Sequence, residues 1–238
     1  KGINFAKEKG INLIIALDCG IKAVENVRYA KENKIDFIIC DHHKPGIDLP
    51  NAVAILNPKK SNCNYPFKDL CGCGIGFKLV QALSMQWDVN FDIVTDYLDL
   101  VAIATVSDLV PIIGENRILC YHGMKKLNQT NKPGLKKFLS LSKSNINTSD
   151  ISFKIAPRIN SAGRIDHSLE AFKLLTCNEI IDVEKQFIKI EKFNENRRLI
   201  DEETTKEAIE IVENSKIKSN TTVVSSENWH KGVIGIVA

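Results

Sequence analysis

The stretch from Asn12 to Leu56 constrains this chain of 238 residues more than any other. A continuous apolar run, LIIAL, ends in Asp18; a helix-patterned segment, IKAVENVRYAKENK, follows; a second run, FIIC, ends in Asp41; and a third short run, AVAIL, comes next. Unbroken apolar runs of this kind suit strands covered on both faces by helices. The order strand, helix, strand, strand places a crossover between the first two strands, so they lie parallel. Asp18 and Asp41 each follow a strand. Their side chains therefore gather at the carboxyl edge of the sheet, where open α/β sheets bind ligands. The fold class is α/β, built on a parallel sheet.

Beyond the sheet, residues 74–87 and 91–105 read as amphipathic or buried helices, the second delivering Asp108 in the turn after VAIATVS. Weaker helical signals from Gly123 to Leu141 break at Lys132-Pro133-Gly134, and the polar stretch SKSNINTSD reads as a surface loop. From Asn178 to Asn214, apolar residues at Ile180, Val183, Phe187, Ile190, Phe193, Ile200, Ala208 and Ile211 mark one face of a long helix, or of two in series. Such a helix either packs on its own domain or connects two. TTVVSSENWHKGVIGIVA then opens as strand, loop and apolar helix or strand, in the manner of a second α/β domain beginning. The partition is 1–140, 141–177, 178–215 for the connector helix, and 216–238.

Composition removes several classes. Hydrophobic residues at 44% and charged residues at 26% support a buried core, which excludes collagenous and low-complexity chains. Lys+Arg 32 against Asp+Glu 29 leaves a net charge of +3 at pH 7, too mild to argue for a polyanion partner. Any nucleic-acid case rests on local residues. No run of about 18 apolar residues is present to span a bilayer, and KGINFAKEKG lacks the apolar stretch of a signal peptide. The chain reads as cytoplasmic, with no membrane partner. Seven cysteines without paired C-x-x-C spacing read as buried free thiols rather than a metal site. The missing initiator Met and the uncapped apolar run at KGVIGIVA read as a fragment cut at both ends.

Chemistry concentrates at Asp41-His42-His43, two imidazoles and a carboxylate at a strand end, which offer nitrogen and oxygen ligands to a divalent metal. Adjacent histidines on a loop are often only solvated. Here Asp18 ends the neighbouring strand, and Asp108 leaves a hydrophobic helix that returns it to the same edge. Further along, Arg158 and Arg164 flank Asn160, Ser161 and Gly163 just before a helix that Asp166 is placed to cap. Guanidinium forks and exposed backbone N–H groups suit phosphate oxygens, against the alternative of ordinary salt-bridge partners. His122 and His167 read as structural. In Trp229-His230-Lys231-Gly232 the glycine permits a close backbone approach, to a phosphate or within a tight turn, and packing is the favoured reading. Gly72, Gly74 and Gly76 do not have G-x-G-x-x-G spacing and no strand leads into them, which argues against a nucleotide cofactor.

Taken in order, ALDCGI, CDHH, NPKKSNCNYPFKDLCGCGIGFKL, ATVSDLVP, APRINSAGR and WHKGVIGIVA resemble the DHH phosphoesterase superfamily. APRINSAGR and WHKGVIGIVA resemble in particular its branch of bacterial single-strand-specific DNA exonucleases. The resemblance implies a DHH domain over 1–140, a phosphate-gripping segment over 141–177, and the start of a DHHA1-like domain after residue 215. It implies that Asp18, His42, His43 and Asp108 are catalytic, with Asp18 bridging two metal ions and His42 and Asp108 ligating one of them. Asp41 would orient an imidazole from behind the ligands, and His43 would face the scissile phosphate. Arg158, Asn160, Ser161, Gly163, Arg164, His230 and Gly232 would hold the DNA.

The implied cofactor is Mn²⁺ or Mg²⁺, the imidazole favouring Mn²⁺, with Zn²⁺ disfavoured by the lack of a thiolate set. The implied activity is metal-dependent hydrolysis of phosphodiester bonds in single-stranded DNA, 5′ to 3′, in repair and recombination. Partner proteins in repair are not legible in the sequence. The family's first motif, Asp-x-Asp-Gly, has no counterpart before Asp18, where Glu8 is the lone carboxylate. At most one ion, and no exonuclease activity, is therefore expected of residues 1–238 by themselves. Two other readings compete: a phosphodiesterase of the same superfamily acting on short oligonucleotides or cyclic dinucleotides, and an inactive DNA-binding scaffold.

Overall fold

Strand β1 (Leu13–Leu17) pairs in parallel with β2 (Asp36–Cys40), from Leu13 opposite Asp36 to Leu17 opposite Cys40. β2 pairs in parallel with β3 (Ala54–Leu56), and the sheet order is β1-β2-β3. The computed structural model from which this is read describes residues 1–214 and 221–238. Helices α1 (Gly2–Glu8) and α2 (Val24–Glu32) cover one side of the sheet, where Ala6, Ala30 and Ile35 pack with Ile3, Ile14 and Phe37. On the other side lie α3 (Gly72–Gln86), α4 (Phe91–Thr95), α5 (Leu98–Ser107) and α6 (Gly114–Asn128). Their core joins Cys40 to Leu70, Ile75, Phe77, Val94, Leu98, Val101 and Leu119.

Full burial of both strand faces holds at the end of β2, where Ile39 and Cys40 are inaccessible. It fails for β1, whose Leu13, Ile15 and Leu17 are exposed. The difference is positional: β2 is flanked by a strand on each side, whereas β1 is the edge of the described sheet.

The described residues form two compact units, 1–129 and 130–238. The break precedes the expected one at residue 140, because Pro133–Leu139 (α7) places Leu135 and Phe138 in the core of the second unit, with the Phe138 ring edge-on to Phe187. SKSNINTSD is not simply a surface loop. Ile146 is buried, and Asn147 and Asp150 exchange side-chain-to-backbone hydrogen bonds around Thr148–Asp150 (α8). A π-helical turn (Ile151–Ile155) runs into α9 (Ala156–Ile165), followed by α10 (Leu169–Thr176), α11 (Ile180–Asn214) and α12 (Ile234–Val237).

α11 is one helix of 35 residues and packs on α7, α9, α10 and α12 within its own unit. Of its expected apolar face, Val183, Phe187, Ile190 and Ala208 are buried, while Ile180 and Ile211 are exposed. The expected boundary at 215/216 lies outside the described residues. The strand anticipated at TTVV is not formed, and Val223 stands in solvent. Among the described residues of this unit no partner strand is present for it to pair with. No helix is long and apolar enough to cross a membrane among the described residues.

Candidate metal centre

The ends of β1, β2 and β3 and the end of α5 meet at one edge of the first unit. Asp18 follows β1 directly and has a left-handed backbone, φ +63°, a conformation in which a non-glycine residue is strained. Its N–H still donates to the Cys40 carbonyl at 2.8 Å, so the residue turns sharply while remaining tied to β2. Asp108 ends α5, an almost wholly buried helix, and its N–H donates to the Ala104 carbonyl at 2.9 Å. Between them His42, 7% exposed, points Nε2 at Asp18 Oδ1 (3.2 Å) and Asp108 Oδ2 (3.4 Å). Ligand atoms of Asp18, His42 and His43 lie within 4.8 Å of one another.

Asp41, 1% exposed, holds this edge together without facing outward. Its Oδ2 accepts from the Ile21 N–H at 2.9 Å, and its Oδ1 accepts from the His43 N–H at 3.1 Å and pairs with His43 Nδ1 at 2.7 Å. Burial alone would raise the Asp41 carboxyl, but the hydrogen bonds from Ile21 and His43 outweigh it and hold the group below its ordinary value. At Asp18 the balance is opposite. Desolvation pushes its carboxyl up, with His42 opposing the rise and Asp108 adding to it. The orienting role expected of Asp41 falls on His43; His42 Nδ1 is buried with no hydrogen-bond partner among the described residues.

The donor set fits a divalent cation. With the ring proton on Nδ1, Nε2 and two carboxylate oxygens are three acceptors that one cation satisfies; with the proton on Nε2 the ring itself donates between the two carboxylates. The groups able to hold it are Asp18, His42, His43 and Asp108.

Sequence reasoning missed two residues here. Asn57, buried just after β3, donates through Nδ2 to the His43 carbonyl at 2.9 Å and accepts from the Lys59 N–H at 2.8 Å. The rule that singled out Asp18 and Asp41, a polar residue following a strand, applies equally to Asn57. Gly72 lies against Asp18, and no sequence signal marks it apart from Gly74 and Gly76.

The second expected group lies in the second unit and differs from expectation. APRINSAGR forms α9, so most of its backbone N–H groups bond within the helix and are not the exposed donors expected for phosphate. Arg158 pairs with Glu191 and donates Nη1 to the Lys154 carbonyl at 2.7 Å. Ser161 is buried and donates to the Arg158 carbonyl at 2.6 Å, while Asn160 and Gly163 are exposed. Arg164 donates to the Gly232 carbonyl at 2.8 Å, and a Cβ on Gly232 would fall 2.3 Å from the Arg164 carbonyl oxygen. That glycine therefore serves packing, and His230 Nδ1 accepts from its N–H at 3.0 Å. Asp166 ends α9 and does not cap α10; the Leu169 N–H is taken by His167 Nδ1 at 3.2 Å instead.

A parallel sheet with Asp18 and the Asp41-His42-His43 triplet at its carboxyl edge is the context of a family match: residues 3–105 match the DHH family, N-terminal domain. The particular relatives are RecJ exonucleases. The chain is 41% identical over 235 residues to the single-stranded-DNA-specific exonuclease RecJ of Bacillus subtilis, which covers 98% of this chain and 29% of the relative. To the protein of that name from Escherichia coli it is 33% identical over 253 residues, covering 99% of this chain and 44% of the relative. The crystal structure of RecJ in complex with Mn²⁺ from Thermus thermophilus matches with a TM-score of 0.88 at 25% identity, over 99% of this chain and 35% of that one. The chain thus spans less than half the length of these curated relatives.

Proposed function

We propose that this chain contributes the metal-dependent catalytic centre of an exonuclease that hydrolyses phosphodiester bonds in single-stranded DNA, acting 5′ to 3′ in repair and recombination in the cytoplasm. The observation that carries the reading is His42 Nε2 set between Asp18 and Asp108. Its support from comparison is similarity over nearly the whole chain to proteins named single-stranded-DNA-specific exonucleases, and to one solved with Mn²⁺. Asp18, His42 and Asp108 would hold Mn²⁺ or Mg²⁺. Bound there, the ion would supply Lewis-acid stabilisation of phosphate charge and a more acidic water.

The remaining residues position and neutralise. Asp41 fixes the His43 ring from behind, leaving its other nitrogen to join the ligands in the neutral ring or, in the imidazolium form, to donate to a phosphate oxygen. Arg158 and Arg164 bring guanidinium groups to one helix, and exposed Arg164 is the better placed to meet a phosphate, because Arg158 already holds Glu191. This reading is preferred to an inactive scaffold because Asp18, His42 and Asp108 are all present and converge.

The test is Asp18→Ala in the full-length protein carrying this chain. Loss of single-strand degradation with the fold intact is expected; retention of more than about a tenth of the rate, under about 1.4 kcal/mol of barrier, removes Asp18 from the centre. Faster hydrolysis of dinucleotides than of long single strands by the unaltered protein would instead assign the site to a short-oligonucleotide phosphodiesterase.

A further inference from the structure

Gly72 opens α3, and its surroundings single it out among the three glycines of LCGCGIGF. A Cβ built on it would fall 2.1 Å from Asp18 Oδ1, 2.4 Å from Asp18 Cγ and 2.5 Å from Asp18 Cβ. All three distances are shorter than any non-bonded contact allows. At Gly74, one step along the same turn, the nearest atom would be Cys71 Sγ at 3.5 Å, an ordinary contact. Asp18 cannot yield easily, because its left-handed backbone is tied to β2 by the hydrogen bond from its N–H to the Cys40 carbonyl. α3 cannot withdraw easily either: Ile75 and Phe77 anchor it in the core, and Cys71 Sγ caps it by accepting from the Gly74 N–H.

We propose that Gly72 is a positioning residue of the metal centre: the bare first turn of α3 is the wall on which the Asp18 side chain seats, and it aims Oδ1 at His42. The inference rests on the metal reading of Asp18, His42 and Asp108. A carboxylate on a strained backbone has other rotamers open to it, and a wall at contact distance on one side removes those that swing away from the imidazole. Any side chain at position 72 fills the space that the carboxylate occupies.

The experiment measures Mn²⁺ binding by calorimetry, and unfolding by urea, on the whole chain. Gly72→Ala should weaken Mn²⁺ by about 10–100-fold, the range for groups that orient a ligand. Gly74→Ala, the same chemical change where there is room, should leave binding unchanged. Asp18→Ala separates the two levels of the argument. If Asp18→Ala abolishes binding while Gly72→Ala binds like the unaltered chain, the positioning role is wrong; if Asp18→Ala binds like the unaltered chain, the metal reading is wrong.

Stability then tests the seat independently of any ion. Gly72→Ala should be costly alone and much cheaper in an Asp18→Gly background, where the obstructing side chain is gone and the left-handed φ is unstrained. Strict additivity of the two changes overturns the proposal. Should Gly72→Ala alone fail to fold, recovery of the fold in Gly72→Ala/Asp18→Gly supports the seat, and equal failure of both overturns it.

Discussion

At the scale of single residues, Asp41 shows how a carboxylate can serve a site without touching its ligand. It is buried, accepts two backbone N–H groups and grips one face of His43. Asp41→Ala would orphan the buried Ile21 donor and release the His43 N–H, and each buried donor left unpaired costs about 1–3 kcal/mol. Urea unfolding should therefore show Asp41→Ala destabilised by at least the lower figure, with Asp41→Asn, which keeps an acceptor oxygen, closer to the unaltered chain. Equal effects of the two substitutions would mean that the carboxylate charge, or both of its oxygens together, is what the position needs and that one acceptor oxygen does not suffice. The carboxylates at strand ends were legible in the sequence because the chain after a buried strand must emerge at that edge. Which histidine Asp41 would orient was not, since His42 and His43 are adjacent and only their rotamers send one ring to Asp41 and the other between Asp18 and Asp108. Gly72 was illegible for a related reason: its constraint comes from a residue 54 positions earlier in the chain.

At the scale of elements, the sheet and α11 follow from periodicity, whereas α9 does not. Asn160, Ser161 and Gly163 are poor helix formers, and expecting exposed backbone N–H groups there follows their propensity. Tertiary packing overrides it: α9 lies against α11, with Arg158 bound to Glu191. The turn leading into α9 begins at the reciprocal cap of Asn147 and Asp150, whose hydrogen bonds of 3.0 and 3.1 Å satisfy donors at both positions. Asn147→Ala should cost about 1 kcal/mol. Asp150 also pairs with Lys154 at 2.6 Å, and this contact first, then the Asn147 N–H, holds its carboxyl below the ordinary value. A carboxyl lowered on folding contributes stability that is fully present above its unfolded pKa, about 3.9, and is lost as pH falls through the folded value. Acid unfolding of the second unit should accordingly lose part of its pH dependence below about pH 4 in Asp150→Asn. An unchanged acid profile would show that the cap is not a titrating contact.

At the scale of the whole molecule, each unit has its own core, and the candidate metal groups belong to one of them. Cys40, Leu70, Ile75, Phe77, Leu98 and Val101 stabilise the unit that carries Asp18, His42, His43 and Asp108. Phe138, Leu135, Ile151, Ile155, Leu174 and Ile190 are buried in the unit that carries Arg158 and Arg164. The sequence pattern suggests divisions at 140, 177 and 215, whereas the compact units divide after Gln129; α7 has weak helical signals, and its allegiance depends on where Phe138 finds a partner, which is Phe187. That allegiance gives a test of the division itself. Phe138 is inaccessible to solvent, so Phe138→Ala removes a ring from a filled core and should cost about 3–5 kcal/mol. If the loss is confined to residues 130–238, hydrogen exchange should rise across α7, α9, α10 and α11 while protection of β2 and α5 stays as it was. Mn²⁺ affinity, carried by groups on the strand ends and α5, should then be unchanged at temperatures where the second unit has begun to open. A parallel fall in Mn²⁺ affinity and in β2 protection would show instead that the two cores unfold as one cooperative body, and that the break after Gln129 has no energetic counterpart.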